Sequence, residues 1–243
     1  MTEPSGDDLA VAAGPAAPVQ KSGYLYWVAK VVLTPVLTVA FRPRIEGVRR
    51  VPRSGPAILA CNHVSYLDWL FLPLVVRTRR ISFLAKLEYF TRPGVKGAAQ
   101  RYFFTATGQV PVDRSGADAS SAALRTAKRL LDEGRLIGMF PEGTRSRDGR
   151  LYRGRTGVAR LAAETGVPVV PCATVGVFDI APPGTRVPRM RRIGMRFGQP
   201  MTWPAGQPAS PAALRTWTDE LMTEIQRLSG QAQAGVDAWG SRA

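Results

Sequence analysis

A chain of 243 residues, 45% hydrophobic and 21% charged, suits one packed domain with appendages and excludes global disorder. Its formal charge of +15 implies an anionic partner: nucleic acid, an anionic membrane surface or phosphorylated small molecules. Two cysteines, Cys61 and Cys172, give neither a disulfide framework nor zinc-ligand spacing, and both lie in apolar runs, as buried free thiols of a reducing compartment do.

Residues 1–21 are rich in Ala, Pro, Gly and acid and lack a basic start and an apolar signal core. They read as a disordered tail. Residues 22–50 read as a membrane-associated helical anchor. Within them, 24–41 is the most apolar stretch of the chain; as a helix it would reach roughly 27 Å, slightly short of a bilayer core of about 30 Å. Lys30 and Pro35 interrupt it, Tyr24, Tyr26 and Trp27 crowd one end, and Arg42, Arg44, Arg49 and Arg50 follow the other. This pattern favours a monotopic or re-entrant helix kinked near Pro35 over a full span, and an amphipathic helix packed on the domain stays open.

From Val51 to Gly230 short apolar runs alternate with helical segments, which predicts an α/β domain with a mixed, largely parallel sheet flanked by helices. Strands are expected at 57–60, 81–85, 108–112, 136–140, 167–175 and 194–197. The two prolines of 167–175 suggest an edge position or an irregular end. Helices are expected at 95–105, 118–132 (Asp118 capping and Gly134 terminating), 156–164 and 210–228, the last with Leu214, Trp217, Leu221 and Ile225 on one side. Residues 231–243 read as a flexible tail.

Three of these strands end in polar, charged loops: Cys61 to Asp68, Val112-Asp113-Arg114, and Phe140 to Ser146. In open α/β sheets ligands collect outside strand ends, so these loops converge on one crevice. The first holds the only histidine, His63, five residues before Asp68. An imidazole fixed by a carboxylate is a general base, and a hydrogen-bonded structural histidine is the alternative. Cys61 has no second histidine to activate it.

The order of Asn62-His63 through Asp68, then Val112-Asp113-Arg114, then Phe140 through Ser146, then Val167-Pro168-Val169-Val170-Pro171 resembles the glycerolipid acyltransferases, most of all the lysophosphatidate acyltransferases. The resemblance runs over about 51–200. It implies acyl transfer from acyl-CoA or acyl-carrier protein to the free hydroxyl of lysophosphatidate, giving phosphatidate, with His63 as base and Asp68 orienting it. It assigns the acceptor's glycerol phosphate to the second and third motifs, hence to Arg114 and Arg145, with Gly143 giving close backbone approach and Thr144 beside it. Glu142 would hold an arginine or take a hydrogen bond from the glycerol. Lys86, ending another strand, resembles a lysine near the site in this family. No cofactor, metal or covalent acyl-enzyme is implied.

The anchor and the basic clusters around Arg77, Arg147 and Arg189 place the protein on an anionic surface, the cytoplasmic face of the cell membrane. Related families act on glycerol-3-phosphate or other lyso-lipids, which are the alternative acceptors. A non-catalytic lipid-binding protein and a nucleic-acid-binding module are the readings from other classes. No nucleic-acid motif is present, and the intact His63–Asp68 pair argues for catalysis.

Overall fold

In the computed structural model, which describes residues 23–113, 119–182, 184, 185 and 187–235, the apolar runs become strands β1 (Arg44–Glu46), β2 (Ala57–Cys61), β3 (Ile81–Lys86), β4 (Gln109–Val112), β5 (Leu136–Met139), β6 (Val169–Val175) and β7 (Gly194–Phe197). The helices are α1 (Gly23–Phe41), α2 (Asp68–Val75), α3 (Glu88–Thr91), α4 (Gly94–Ala106), α5 (Ala119–Asp132), α6 (Gly157–Thr165), α7 (Val177–Ile180) and α8 (Pro211–Ser229). The strands form one sheet in the order β1-β7-β6-β2-β5-β3-β4. All neighbours are parallel except β6 and β7. This is the mixed, largely parallel α/β architecture expected from the alternation of elements.

β2 lies at the middle of the sheet, and each of its residues is buried. Its side chains alternate between two cores, as a strand covered on both faces requires. Ala57, Leu59 and Cys61 join Phe71, Leu72 and Val75 of α2 and Phe41 of α1. Ile58 and Ala60 join Leu130 and Leu131 of α5, Leu161 of α6, and Trp217, Leu221 and Ile225 of α8. The stripe foreseen on the last helix is thus its buried face. Ser210 caps that helix by accepting from the Ala213 N–H at 3.2 Å, and Gly230 ends it in the left-handed region at φ 72°. Asp118, the expected cap of α5, lies outside the described residues.

β6 is interior, flanked by β2 and β7, and not at an edge. Its Pro171 is tolerated because of where the missing N–H points. The Pro171 carbonyl accepts from Gly198 N at 2.8 Å, so the ring nitrogen also faces the β7 side. There β7 has ended at Phe197, and the ladder resumes only at the isolated Val169–Met201 bridge. No strand donor is lost.

The anchor limit at residue 50 falls inside the domain. β1 pairs in register with β7, and Arg50 Nη1 donates to the Phe197 carbonyl at 2.6 Å. α1 packs against α2 and α4 and runs through Pro35. No described helix is long and apolar enough to cross a membrane. Lys30 is accommodated in this apolar helix because its Nζ donates to the Val76 carbonyl at the end of α2 (2.5 Å) beneath the Tyr26 and Trp27 rings. Burial, with Arg77 nearby, lowers its pKa to about 8. The opposite side of α1 leaves Val31, Val32, Val36 and Val39 between 60% and 77% exposed.

Candidate active site

Because β2 to β6 run in parallel, their C-terminal ends share one edge of the sheet. Asn62 and His63 leave β2 there, Lys86 ends β3, Asp113 follows β4, and 140–146 follow β5. Arg114 lies outside the described residues. Sheet direction therefore brings the ends of these strands to the same edge of the sheet.

His63 stands in the loop and Asp68 in the first turn of α2, folded back toward it. His63 Nδ1 lies 2.9 Å from Asp68 Oδ2. The same oxygen accepts the Val64 and Ser65 N–H groups at 2.7 and 2.8 Å, and Asp68 Oδ1 faces the Thr174 hydroxyl at 3.1 Å. Asp68 is fully buried, and its place at the start of a helix suits an acceptor. With a carboxylate opposite, Nδ1 must carry the imidazole proton, which leaves the Nε2 lone pair free to accept one. The His63 side chain is 17% exposed.

The imidazole plane is set by stacking. It lies 4.0 Å from the Phe140 ring at 15°, and Phe140 in turn stacks with Phe83 at 6.0 Å. Gly138 of β5 makes room, since a Cβ there would collide with the Phe83 ring.

Glu142 has a structural role that the sequence did not reveal. It is 1% exposed, and its two oxygens accept the N–H groups of His63 (2.8 Å) and Tyr152 (2.9 Å). Burial outweighs these two donors and raises its pKa to about 7. It therefore staples the 140–155 loop to the His63 loop. A further tie runs from Ser146 N–H to the His63 carbonyl at 2.7 Å.

Gly143 sits at φ 74° with the Arg155 side chain packed across it. Gly143 and Arg145 are exposed and Thr144 is half-buried. Asp148 pairs with Arg150 at 2.6 Å. Lys86 is exposed at the same edge. Cys61 and Cys172 are fully buried register partners, with burial pushing both thiols well above the usual range, which removes either as a nucleophile.

Three residues escaped the sequence reading. Thr174 contacts both Asp68 and Asn62, whose Oδ1 accepts the Thr174 N–H at 2.8 Å. Phe140 supports the imidazole. Gln231 accepts from Asn62 Nδ2 at 2.7 Å. Only Phe140 carried a local signal, as the aromatic residue closing an apolar strand beside a charged loop.

A family model described as Acyltransferase matches residues 42–175. The chain is 34% identical over 146 residues to the 1-acyl-sn-glycerol-3-phosphate acyltransferase LPAT1, chloroplastic, of Arabidopsis thaliana, which covers 60% of this chain and 39% of that one. It is 28% identical over 167 residues to a 1-acyl-sn-glycerol-3-phosphate acyltransferase of Bacillus subtilis, covering 68% of this chain and 77% of the other. Among solved structures it is similar to the 1-acyl-sn-glycerophosphate (LPA) acyltransferase PlsC of Thermotoga maritima, with TM-score 0.60, 25% identity, and 83% and 82% of the two chains covered. The chain spans about two fifths of the length of the plant relatives it matches.

Proposed function

The chain belongs to the acyltransferase family, and from that premise we propose that it transfers a fatty acyl group from a thioester to the free hydroxyl of lysophosphatidate, giving phosphatidate. The observation that carries this reading is the His63–Asp68 pair, held at 2.9 Å with the second imidazole nitrogen free to accept. His63 Nε2 takes the proton of the acceptor hydroxyl as its oxygen attacks the thioester carbonyl. The tetrahedral intermediate collapses with cleavage of the C–S bond, and the imidazolium returns the proton to the departing thiolate. Asp68 fixes the tautomer and stabilises the imidazolium between these steps. The donor is acyl-CoA or acyl-carrier protein.

Arg145 and Lys86 supply positive charge for the acceptor phosphate at the shared sheet edge, and the sequence motif assigns Arg114 to the same phosphate. Thr144 and Gly143 place backbone groups beside it. A shallow apolar groove lies between α1 and α2, lined by Leu33, Leu37, Trp69 and Leu74 among others. It reaches Trp69, the neighbour of Asp68, and suits an acyl chain. The exposed valines on the opposite side of α1 rest on the cytoplasmic face of an anionic membrane, from which the lysophosphatidate arrives.

The test is thiol release from a long-chain acyl-CoA in mixed micelles, with and without lysophosphatidate. Acceptor-dependent release that falls by about 10²–10⁴ in His63→Ala, with acceptor binding retained, is the expected result. Equal release by His63→Ala overturns the base. Release with glycerol-3-phosphate or another lyso-lipid, and none with lysophosphatidate, overturns the acceptor.

A further inference from the structure

Residues 231–235 are not a loose extension of α8. Gly230 reverses the chain, and the Gln231 N–H donates to Ser229 Oγ at 3.2 Å. The segment then pairs with the loop after β5. Leu151 N–H donates to the Ala232 carbonyl, and Ala234 N–H to the Leu151 carbonyl, both at 2.9 Å. Leu151 itself is buried.

This pairing presents the Gln231 amide to two active-site loops at once. Its Oε1 accepts from Asn62 Nδ2 at 2.7 Å, and its Nε2 donates to the Gly149 carbonyl at 2.6 Å. The orientation is forced. Asn62 Oδ1 already accepts the Thr174 N–H, so Nδ2 is the group that faces Gln231. Gln231 must then offer its oxygen to Asn62 and its NH₂ to Gly149, and an amide does both where a carboxylate or an ammonium does one. Asn62 precedes His63. Gly149 lies in the loop that carries Phe140, Glu142 and Ser146, the three residues that touch His63 from that side.

We propose that Gln231 is a positioning residue for His63, a clasp from beyond the family-matched segment 42–175 that holds the two active-site loops in register. The proposal rests on the reading of His63 as the base. A misplacement of about 1 Å at a reacting group costs up to a hundredfold in rate, so a clasp of this kind acts on kcat. Gln231 is only half-buried, and the main-chain pairing of 232–234 does not depend on its side chain.

The experiment uses the full chain labelled with ¹⁵N-histidine. A single histidine gives one pair of imidazole nitrogen signals. Gln231→Met keeps the bulk and removes both hydrogen bonds, Gln231→Ala serves as the second variant, and Gln233→Ala is the control on the same segment. The expected result in both Gln231 variants is a kcat about tenfold lower with long-chain acyl-CoA and lysophosphatidate, at an unchanged acceptor KM. The His63 ring signals shift or broaden while the unfolding midpoint holds, and Gln233→Ala behaves as wild type. Ring signals identical to wild type overturn the proposal, whether or not kcat falls, and so do shifted signals at full kcat. His63→Ala is assayed in parallel. If it stays fully active, the base reading fails, and the ring signals alone decide whether Gln231 positions His63.

Discussion

Asp68 Oδ2 lies 2.9 Å from His63 Nδ1 and also takes two backbone N–H groups, so the carboxylate that aims the imidazole is itself held by the loop carrying it. Asp68→Asn keeps an oxygen for the two backbone donors and removes the charge that stabilises the imidazolium. It should lower kcat about a thousandfold with little change in acceptor KM. Steady-state kinetics beside a thermal melt checks this; a kcat within tenfold of wild type argues against an imidazolium intermediate.

Thr174→Val removes the hydroxyl shared between Asp68 and Asn62 while conserving shape. The expected loss is about three- to tenfold in kcat with roughly 1 kcal/mol of stability. Chemical denaturation and kinetics on the same sample separate the two effects. A large stability loss at full activity would make Thr174 structural only.

Glu142 gives a pH signature. Its folded pKa of about 7 lies above the ordinary 4.5 because burial disfavours the charged form. Between these values the folded protein holds a proton that the unfolded chain has lost, so this contribution to stability is complete below about pH 4.5 and falls as pH rises through about 7. The stability of wild type relative to Glu142→Gln should therefore shrink by roughly 1 to 3 kcal/mol between about pH 5 and about pH 8. Urea titrations at the two pH values measure it, and a constant difference would show that Glu142 is ionised throughout.

Arg145→Ala should raise the KM for a phosphorylated acceptor about tenfold and leave the KM for acyl-CoA unchanged. The two substrate titrations decide it. An equal rise in both, or a rise for the donor alone, moves Arg145 away from the acceptor phosphate.

Val31→Glu combined with Val36→Glu places two charges on the exposed side of α1 without touching the side that packs on α2. Binding to anionic vesicles should fall about tenfold or more at an unaltered melting midpoint. Co-sedimentation at low salt tests it, and undiminished binding would assign the membrane contact to the arginine clusters alone.

Much of the fold was legible locally. The strand at 194–197 and the helices around 95–105 and 210–228 stand where the sequence put them, the last with its apolar side buried as expected. The interior place of β6 was not legible. A proline argues for an edge unless its nitrogen happens to face a break in the neighbouring strand, and that break is a property of the partner.

The sequence by itself determined the chemistry available: one imidazole, a carboxylate five residues on, and charged loops after apolar strands. Those features are short-range, and backbone geometry turns them into a strand, a loop and a helix start without outside help. The tertiary structure decided what surrounds that chemistry. Asp68 meets Thr174 across 106 positions and Asn62 meets Gln231 across 169, while Glu142 became a staple because two backbone donors from distant points closed on it. Such contacts depend on which strands lie side by side and in which register. That choice is made by the packing of two cores on the whole sheet, and no local stretch of sequence records it.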